Sequence, residues 1–365
     1  MPFNNIYKNK RVLVTGHTGF KGSWLSLWLT ELGAEVYGLA LDPGTDNDNF
    51  VVTGLKNHIN HHICNIKDKE KVKGLFKRIQ PQMVFHLAAQ ALVKKSFDDP
   101  VDTYETNVLG TVHILEAIRH TSSVETAVMI TSDKCYKNVE WEYGYRETDE
   151  LGGLDPYGSS KACAELAIQS YRQSFFNTPG TGIPKVASTR AGNVIGGGDW
   201  SENRIVPDII RALMAKKPVE LRQPRATRPW QFVMEPLSGY LWLGAKMNAE
   251  SGFTSGWNFG PAASFIVPVQ TLTEKIIQTW GSGSIKDISD KNHFHEATLL
   301  SLDISKARQR LHWKPALTLE ETIDFTVQWY KEFAGNGPGP MYELGVRQVN
   351  DYTRKAIERG IEWAK

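Results

Sequence analysis

Short apolar runs alternate with longer stretches of helical apolar spacing through the first half of the chain. Residues 11–15 form a β-branched apolar run that stops at Gly16, and residues 20–32 then carry apolar side chains at helical intervals before Gly33. That pattern predicts strand, tight turn and helix. Residues 35–41 read as a second strand, 67–79 as an amphipathic helix and 83–87 as a strand after Pro81. Further helices are predicted over 101–120 and 157–176, with strands at 126–131 and 186–190. Such alternation implies right-handed βαβ units and a parallel sheet covered on both faces.

Beyond residue 191 the texture changes. Residues 192–207 are glycine-rich and lead to a helix predicted over 208–216; proline and glycine punctuate 218–236 and 252–268, with helical spacing at 237–248 and 269–280. The expected division is a cofactor-binding domain over 1–190, to which segments near 229–256 and 300–312 return. Residues 191–228, 257–299 and 313–365 are expected to build a smaller lobe.

Composition narrows the function. The 365 residues carry 42 Lys plus Arg against 40 Asp plus Glu, a net charge of +2, which leaves no broad basic field for nucleic acid. With 41% hydrophobic and 22% charged residues the chain is ordinary globular protein, and no apolar run approaches the ~18 residues of a membrane span. Residues 1–11 are polar and lysine-rich with no apolar stretch behind them, so a cytoplasmic location is expected. Cys64, Cys135 and Cys163 lack the spacing of a disulfide framework or zinc site, and no metal is expected.

Gly16, Gly19 and Gly22 fall between the first strand and the first helix. There a tight turn, close backbone approach and free helix N-terminal amides can receive a pyrophosphate. Asp42, 20 residues beyond Gly22, suits the ribose diol of NAD, and equally a solvated loop; Asn65 could touch adenine or close a turn. Tyr157 and Lys161 stand at i and i+4 on one helix face, a spacing that serves proton removal beside hydride transfer as well as an ordinary solvated face. Thr131-Ser132-Asp133-Lys134 ends a sheet strand, where ligand crevices of doubly wound sheets lie. Asn107 precedes a predicted helix and could be its N-cap.

Together the segments 15–22, 86–90, 107–111, 131–136 and 157–161 resemble the extended short-chain dehydrogenase/reductase family of NAD-dependent epimerases and dehydratases. The similarity continues through 190–200, 203–207, 228–231, 235–240 and 257–261, and is strongest to the nucleotide-sugar 4,6-dehydratases. Asp133-Lys134 stands where the dTDP-glucose and GDP-mannose dehydratases carry Asp-Glu. The resemblance implies an α/β fold, a doubly wound parallel Rossmann sheet with a smaller, interleaved C-terminal substrate lobe. It implies NAD as cofactor, CDP-glucose or a related nucleotide sugar as substrate, a homodimer built on helices 108–120 and 157–176, and a place in deoxysugar and O-antigen synthesis.

It also implies roles. Tyr157, assisted by Ser132 and Lys161, removes the sugar 4-hydroxyl proton; Asp133 protonates the departing 6-hydroxyl; Lys134 takes the C5 proton or stabilises the enolate. Cofactor contacts fall to Gly16, Thr18, Gly19, Phe20, Lys21, Gly22, Asp42, Asn65, Ile66, Leu87, Ala88, Ala89, Asn107, Thr131, Tyr157 and Lys161. Substrate contacts fall to Gln90, Ser132, Asn193, Arg204, Ile205 and Arg228. A dehydratase for another nucleotide sugar, a sugar-nucleotide 4-epimerase and a noncatalytic NAD sensor remain as rival readings.

Overall fold

Seven strands make the central sheet of the computed structural model, which describes residues 1–177, 182–262, 265–289, 299–339 and 341–365. They are β1 (Arg11–Thr15), β2 (Glu35–Ala40), β3 (Asn60–Ile63), β4 (Met83–His86), β5 (Thr126–Ile130), β6 (Lys185–Ala191) and β7 (Gly256–Phe259). Their order is β3-β2-β1-β4-β5-β6-β7 with every pair parallel. The connection reverses between β1 and β4, so a crevice opens at the C-terminal ends of β1, β4 and β5. Burial follows sheet position: β4 and β5 are buried at every residue, whereas the edge strand β3, Asn-His-His-Ile, is polar and partly exposed.

The helices that matter for the site are α1 (Phe20–Glu31), α2 (Lys69–Ile79), α3 (Gly110–Arg119) and α4 (Pro156–Tyr171), followed by α5 (Ile205–Met214), α6 (Met234–Ala249), α7 (Val269–Trp280), α8 (Leu319–Asn336) and α9 (Met341–Glu358). The helix expected over 101–120 is broken: Pro100–Tyr104 runs into a π turn, Glu105–Leu109, before α3 begins. The helix expected to begin at residue 208 starts at Ile205. No helix of the described residues is long and apolar enough to cross a membrane.

One expected boundary is corrected. A lobe segment beginning at 257 would cut β7, which pairs along β6 from Gly256↔Ser188 to Phe259↔Ala191. The run is too short and too punctuated by glycine to stand out as a sheet strand by pattern. The C-terminal part of 313–365 also lies against the sheet domain. Helix α1 is buried from Gly22 to Leu29 without a solvent face, because the sheet covers one side and α9 the other. Trp28 meets Tyr352 edge-on at 5.7 Å, and Phe3 stacks on Trp363 at 4.9 Å.

Glu235 on α6 locks that arrangement. Its buried carboxylate accepts the backbone N–H groups of Ala316 (2.9 Å) and Leu317 (2.7 Å) and the Tyr352 hydroxyl (2.7 Å). Removing it orphans the two buried amides, each costing about 1–3 kcal/mol, and leaves the Tyr352 hydroxyl only its longer bond to Ser238 (3.2 Å). Glu235→Ala is expected to lower unfolding free energy by about 3 kcal/mol or more in urea titration; a loss below about 1 kcal/mol would show that the lock is dispensable.

Candidate active site

The β1–α1 turn is shaped by two glycines. Gly16 has φ of 76°, and a methyl there would lie 2.8 Å from the Ala88 nitrogen; one on Gly22 would lie 2.0 Å from the Gly16 carbonyl oxygen. The first helical bond of α1 runs from Ser23 N–H to the Gly19 carbonyl, and no side chain caps the helix, so the amides of Phe20, Lys21 and Gly22 face outward unpaired. Thr18 donates to the Leu41 carbonyl (3.0 Å), fastening the turn beside the exposed Asp42. Free amides at a positive helix end, close backbone packing and a carboxylate at the end of β2 fit a dinucleotide. Leu87, Ala88 and Ala89 run half-buried beside the turn, with Ala88 N–H donating to Thr15 Oγ1 (3.1 Å).

Several residues expected at the cofactor or substrate also brace the protein internally. Asn65 accepts the Lys67 amide (3.0 Å) and so closes a turn, and the Ile66 side chain is buried against Gly110. Asn107 is not an N-cap: it sits inside the π turn, accepts Gln90 N–H (2.8 Å) and donates to the Gln90 carbonyl (3.0 Å) and Ser160 Oγ (2.9 Å). Gln90 itself donates to Leu92 and Thr103 and accepts Leu92 N–H, which commits its amide within the protein. The Thr131 hydroxyl turns inward to Glu165 and the Thr189 carbonyl. Gln90, Asn107 and Thr131 hold the segments after β4 and β5 against α4.

Asp155 starts α4 by accepting Gly158 N–H (2.9 Å), with Pro156 at the first helical position. Gly158 then lets the helix meet the Asp133–Cys135 turn at backbone distance, since a methyl there would lie 2.8 Å from the Lys134 carbonyl oxygen. The approach brings Tyr157 to Ser132 and Asp133, and Lys161 to Cys135 and Lys21. Ser132 donates to Asp133 Oδ1 (2.9 Å) and accepts Lys134 N–H (3.3 Å), and it stands near enough to the Tyr157 phenol to favour its anion. Lys134 is half-buried at the edge of the cluster.

Electrostatics follow from this burial. Loss of water pushes Asp133 above the ordinary carboxyl range, although Lys134, Ser132 and Lys21 pull it back. Burial pushes Tyr157 up to about 12; Ser132 and Arg204 favour its anion, and Asp133 opposes it. Lys161 is lowered to about 8 by burial and then by Lys21, while Cys135 and Glu165 hold its proton on. Lys21 is likewise lowered to about 8, by burial and Arg204. Burial thus drives the acid and the lysines alike toward their neutral forms.

On the substrate side, Arg204 forms an ion pair with the buried Asp199 at 3.0 Å and feels the Tyr157 charge, with Ile205 half-buried behind it at the start of α5. Asn193 lies half-buried in the loop after β6, its carbonyl accepting Gln231 N–H (3.1 Å). Arg228 lies on a short strand, Thr227–Pro229, paired antiparallel with Ile266–Pro268. Pattern reading missed Asp199, Gly192 and Glu165. A methyl on Gly192 would come within 2.9 Å of Asp133 Oδ2, and Glu165 extends the Tyr157, Lys161 series by another four residues, the one signal that could have found it.

Residues 13–326 match the GDP-mannose 4,6 dehydratase family. A CDP-glucose 4,6-dehydratase of Salmonella typhimurium is 46% identical over 354 residues, 95% of this chain and 97% of that protein. Among solved structures, UDP-glucose 4-epimerase of Thermus thermophilus in complex with NAD is 26% identical with a TM-score of 0.73, covering 88% of this chain and 99% of its own. The dTDP-glucose 4,6-dehydratase of Bacillus anthracis in complex with NAD, at 22% identity and TM-score 0.72 over 88% of this chain and 97% of its own, shares the fold.

Because Lys21 bears on Lys161 as a like charge, Lys21→Met is expected to raise the Lys161 pKa above about 8. Nζ-detected NMR titration of lysine-labelled protein reads this directly, and an unmoved Lys161 would separate the two ammonium groups.

Proposed function

The chain belongs to the GDP-mannose 4,6 dehydratase family, and on that premise we propose that it converts CDP-D-glucose to CDP-4-dehydro-6-deoxy-D-glucose in an NAD-dependent cycle. One observation carries this reading: a buried, raised-pKa carboxyl, Asp133, stands next to a phenol, Tyr157, at the open end of β5. A hydroxyl oxidation needs the phenol; only a departing hydroxyl needs the acid. The free amides of the β1–α1 turn and Asp42 hold NAD by its pyrophosphate and adenosine ribose. NAD held there would supply the hydride acceptor for C4 and the hydride donor for C6.

The chain's own residues move the protons. Tyr157 as phenolate takes the 4-hydroxyl proton, and Ser132 hydrogen-bonds the C4 oxygen as it becomes a ketone. A protonated Asp133 no longer opposes the phenolate, so the acid for the second step also readies the base for the first. The 4-ketone acidifies C5–H. Lys134 takes that proton or stabilises the enolate, Asp133 gives its proton to the 6-hydroxyl, and water leaves from C6. The C5 proton is restored as C6 receives its hydride. Arg204 and Arg228 bind the diphosphate, with Asn193 and Ile205 beside them.

The second partner is another copy of this chain. Leu109, Leu166 and Phe175 on the expected helices, with Val101 and Tyr104 on the adjoining segment 100–104, are exposed apolar side chains on elements that pack side by side, the kind of surface that helix-paired dimers bury.

Incubated with CDP-, dTDP- and UDP-glucose and GDP-mannose, the protein is expected to turn over CDP-glucose with loss of one water, seen by mass spectrometry. No turnover of CDP-glucose overturns the reading, and a product that keeps its 6-hydroxyl points to a 4-epimerase. Asp133→Asn is expected still to oxidise C4 but to eliminate water about a hundredfold or more slowly. Lys134→Ala likewise stalls after the 4-ketone; unchanged exchange of the C5 proton with solvent in that variant excludes Lys134 as the base. Leu166→Glu sediments as a monomer where wild type sediments as a dimer, and a monomeric wild type would remove the proposed interface.

A further inference from the structure

The catalytic helix is riveted to the sheet at one point, one turn beyond Lys161. Glu165, 3% exposed, forms a buried ion pair with Arg190 on β6: Nε donates to Oε1 (3.0 Å) and a terminal nitrogen to Oε2 (2.9 Å). Thr131, at the end of β5, donates to Oε1, and Ser188 on β6 donates to Oε2 (2.7 Å). Arg190 in turn donates to the Tyr136 hydroxyl (2.6 Å), which donates to Asn258 on β7 (2.8 Å). Four donors from two strands thus meet one carboxylate on α4, and the network reaches a third strand.

We propose that Glu165 is a positioning residue of the active site, setting the height of α4 over the strand ends. The inference rests on the dehydratase reading only for the reaction it serves. Helical geometry puts Tyr157, Lys161 and Glu165 at successive four-residue steps, so the rivet fixes the two groups that act on the sugar. A misplacement of about 1 Å there can cost on the order of a hundredfold in rate. Arg190 is engaged within the protein by Glu165, by the Tyr136 hydroxyl and by the Glu147 carbonyl (3.2 Å).

The contact is also electrostatic. Around Lys161 stand Lys21 from α1, His86 from β4, Cys135 from the turn after β5 and Glu165 from its own helix. Lys21 works against the ammonium proton, and Glu165 holds it on. Burial works against the Glu165 carboxylate itself, yet Arg190 and the two hydroxyls keep it below the ordinary range, so it remains an anion. Arg172 lies in the same field.

Glu165→Gln keeps the shape and removes the charge. Its kcat for CDP-glucose is expected to fall roughly tenfold or more with KM unchanged. The alkaline limb of the kcat profile is expected to move to lower pH, because Lys161 then loses its proton sooner. Glu165→Asp, which restores the charge, is expected to return the limb toward wild type. A limb that stays in place in Glu165→Gln, or a KM that rises in step with the loss, overturns the proposal. Should the orphaned Arg190 prevent folding, Glu165→Gln with Arg190→Met leaves no unpaired buried charge. That double variant is expected to lose kcat at constant KM, and wild-type kcat would overturn the rivet. Nζ NMR titration of Lys161 in the cofactor-free protein reads the charge effect without turnover, so a wrong substrate assignment and a wrong role for Glu165 give different results.

Discussion

Taking ionisable groups out of water at the end of β5 is the constraint around which the site is organised. Burial makes charge expensive, and Asp133, Tyr157, Lys21 and Lys161 all move toward neutrality in response. Groups poised between charged and neutral forms are what proton traffic requires. Glu165 and Arg190 are the exception. They remain charged because a two-point ion pair and two hydroxyls replace the lost water. One part of the buried charge therefore holds the helix, and the other part exchanges protons.

The same economy links the cofactor turn to the substrate side. The loop after β6 passes over α1, where Gly196 lies against the Phe20 ring, Trp24 Nε1 donates to the Gly197 carbonyl (2.9 Å) and Tyr330 donates to the Asp199 carbonyl (2.6 Å). Asp199 then presents Arg204 toward Tyr157. The helix that opens the dinucleotide turn thus carries the first residues of the substrate lobe. Helix α1 can do this because it is buried on both sides, with Trp28 against Tyr352 from α9.

Local features were legible in the chain. The glycine turn, the strand ends and the Tyr157–Lys161 spacing each depend on residues within a few positions of one another, so periodicity and spacing carry them. Long-range pairing was not legible. Nothing in the spacing of Glu165 says that Arg190, 25 residues on, will meet it, or that Thr131 will turn its hydroxyl inward. Gln90 and Asn107 were legible one at a time, as a ligand contact and as a ligand contact or N-cap, and their mutual bonds follow only from the π turn that sets them face to face. Strand β7 is four residues among glycines, and its membership of the sheet depends on β6 being there to pair with it. The docking of α9 rests on aromatic residues separated by most of the chain.

One crevice both oxidises C4 and directs the same hydride to C6 after water has left. Turnover of CDP-glucose carrying deuterium at C4, with the product read by NMR, tests it most directly. Deuterium is expected at C6 of the 4-keto-6-deoxy sugar, within the molecule that lost it. Deuterium remaining at C4, or a dehydrated product with none at C6, would contradict the account.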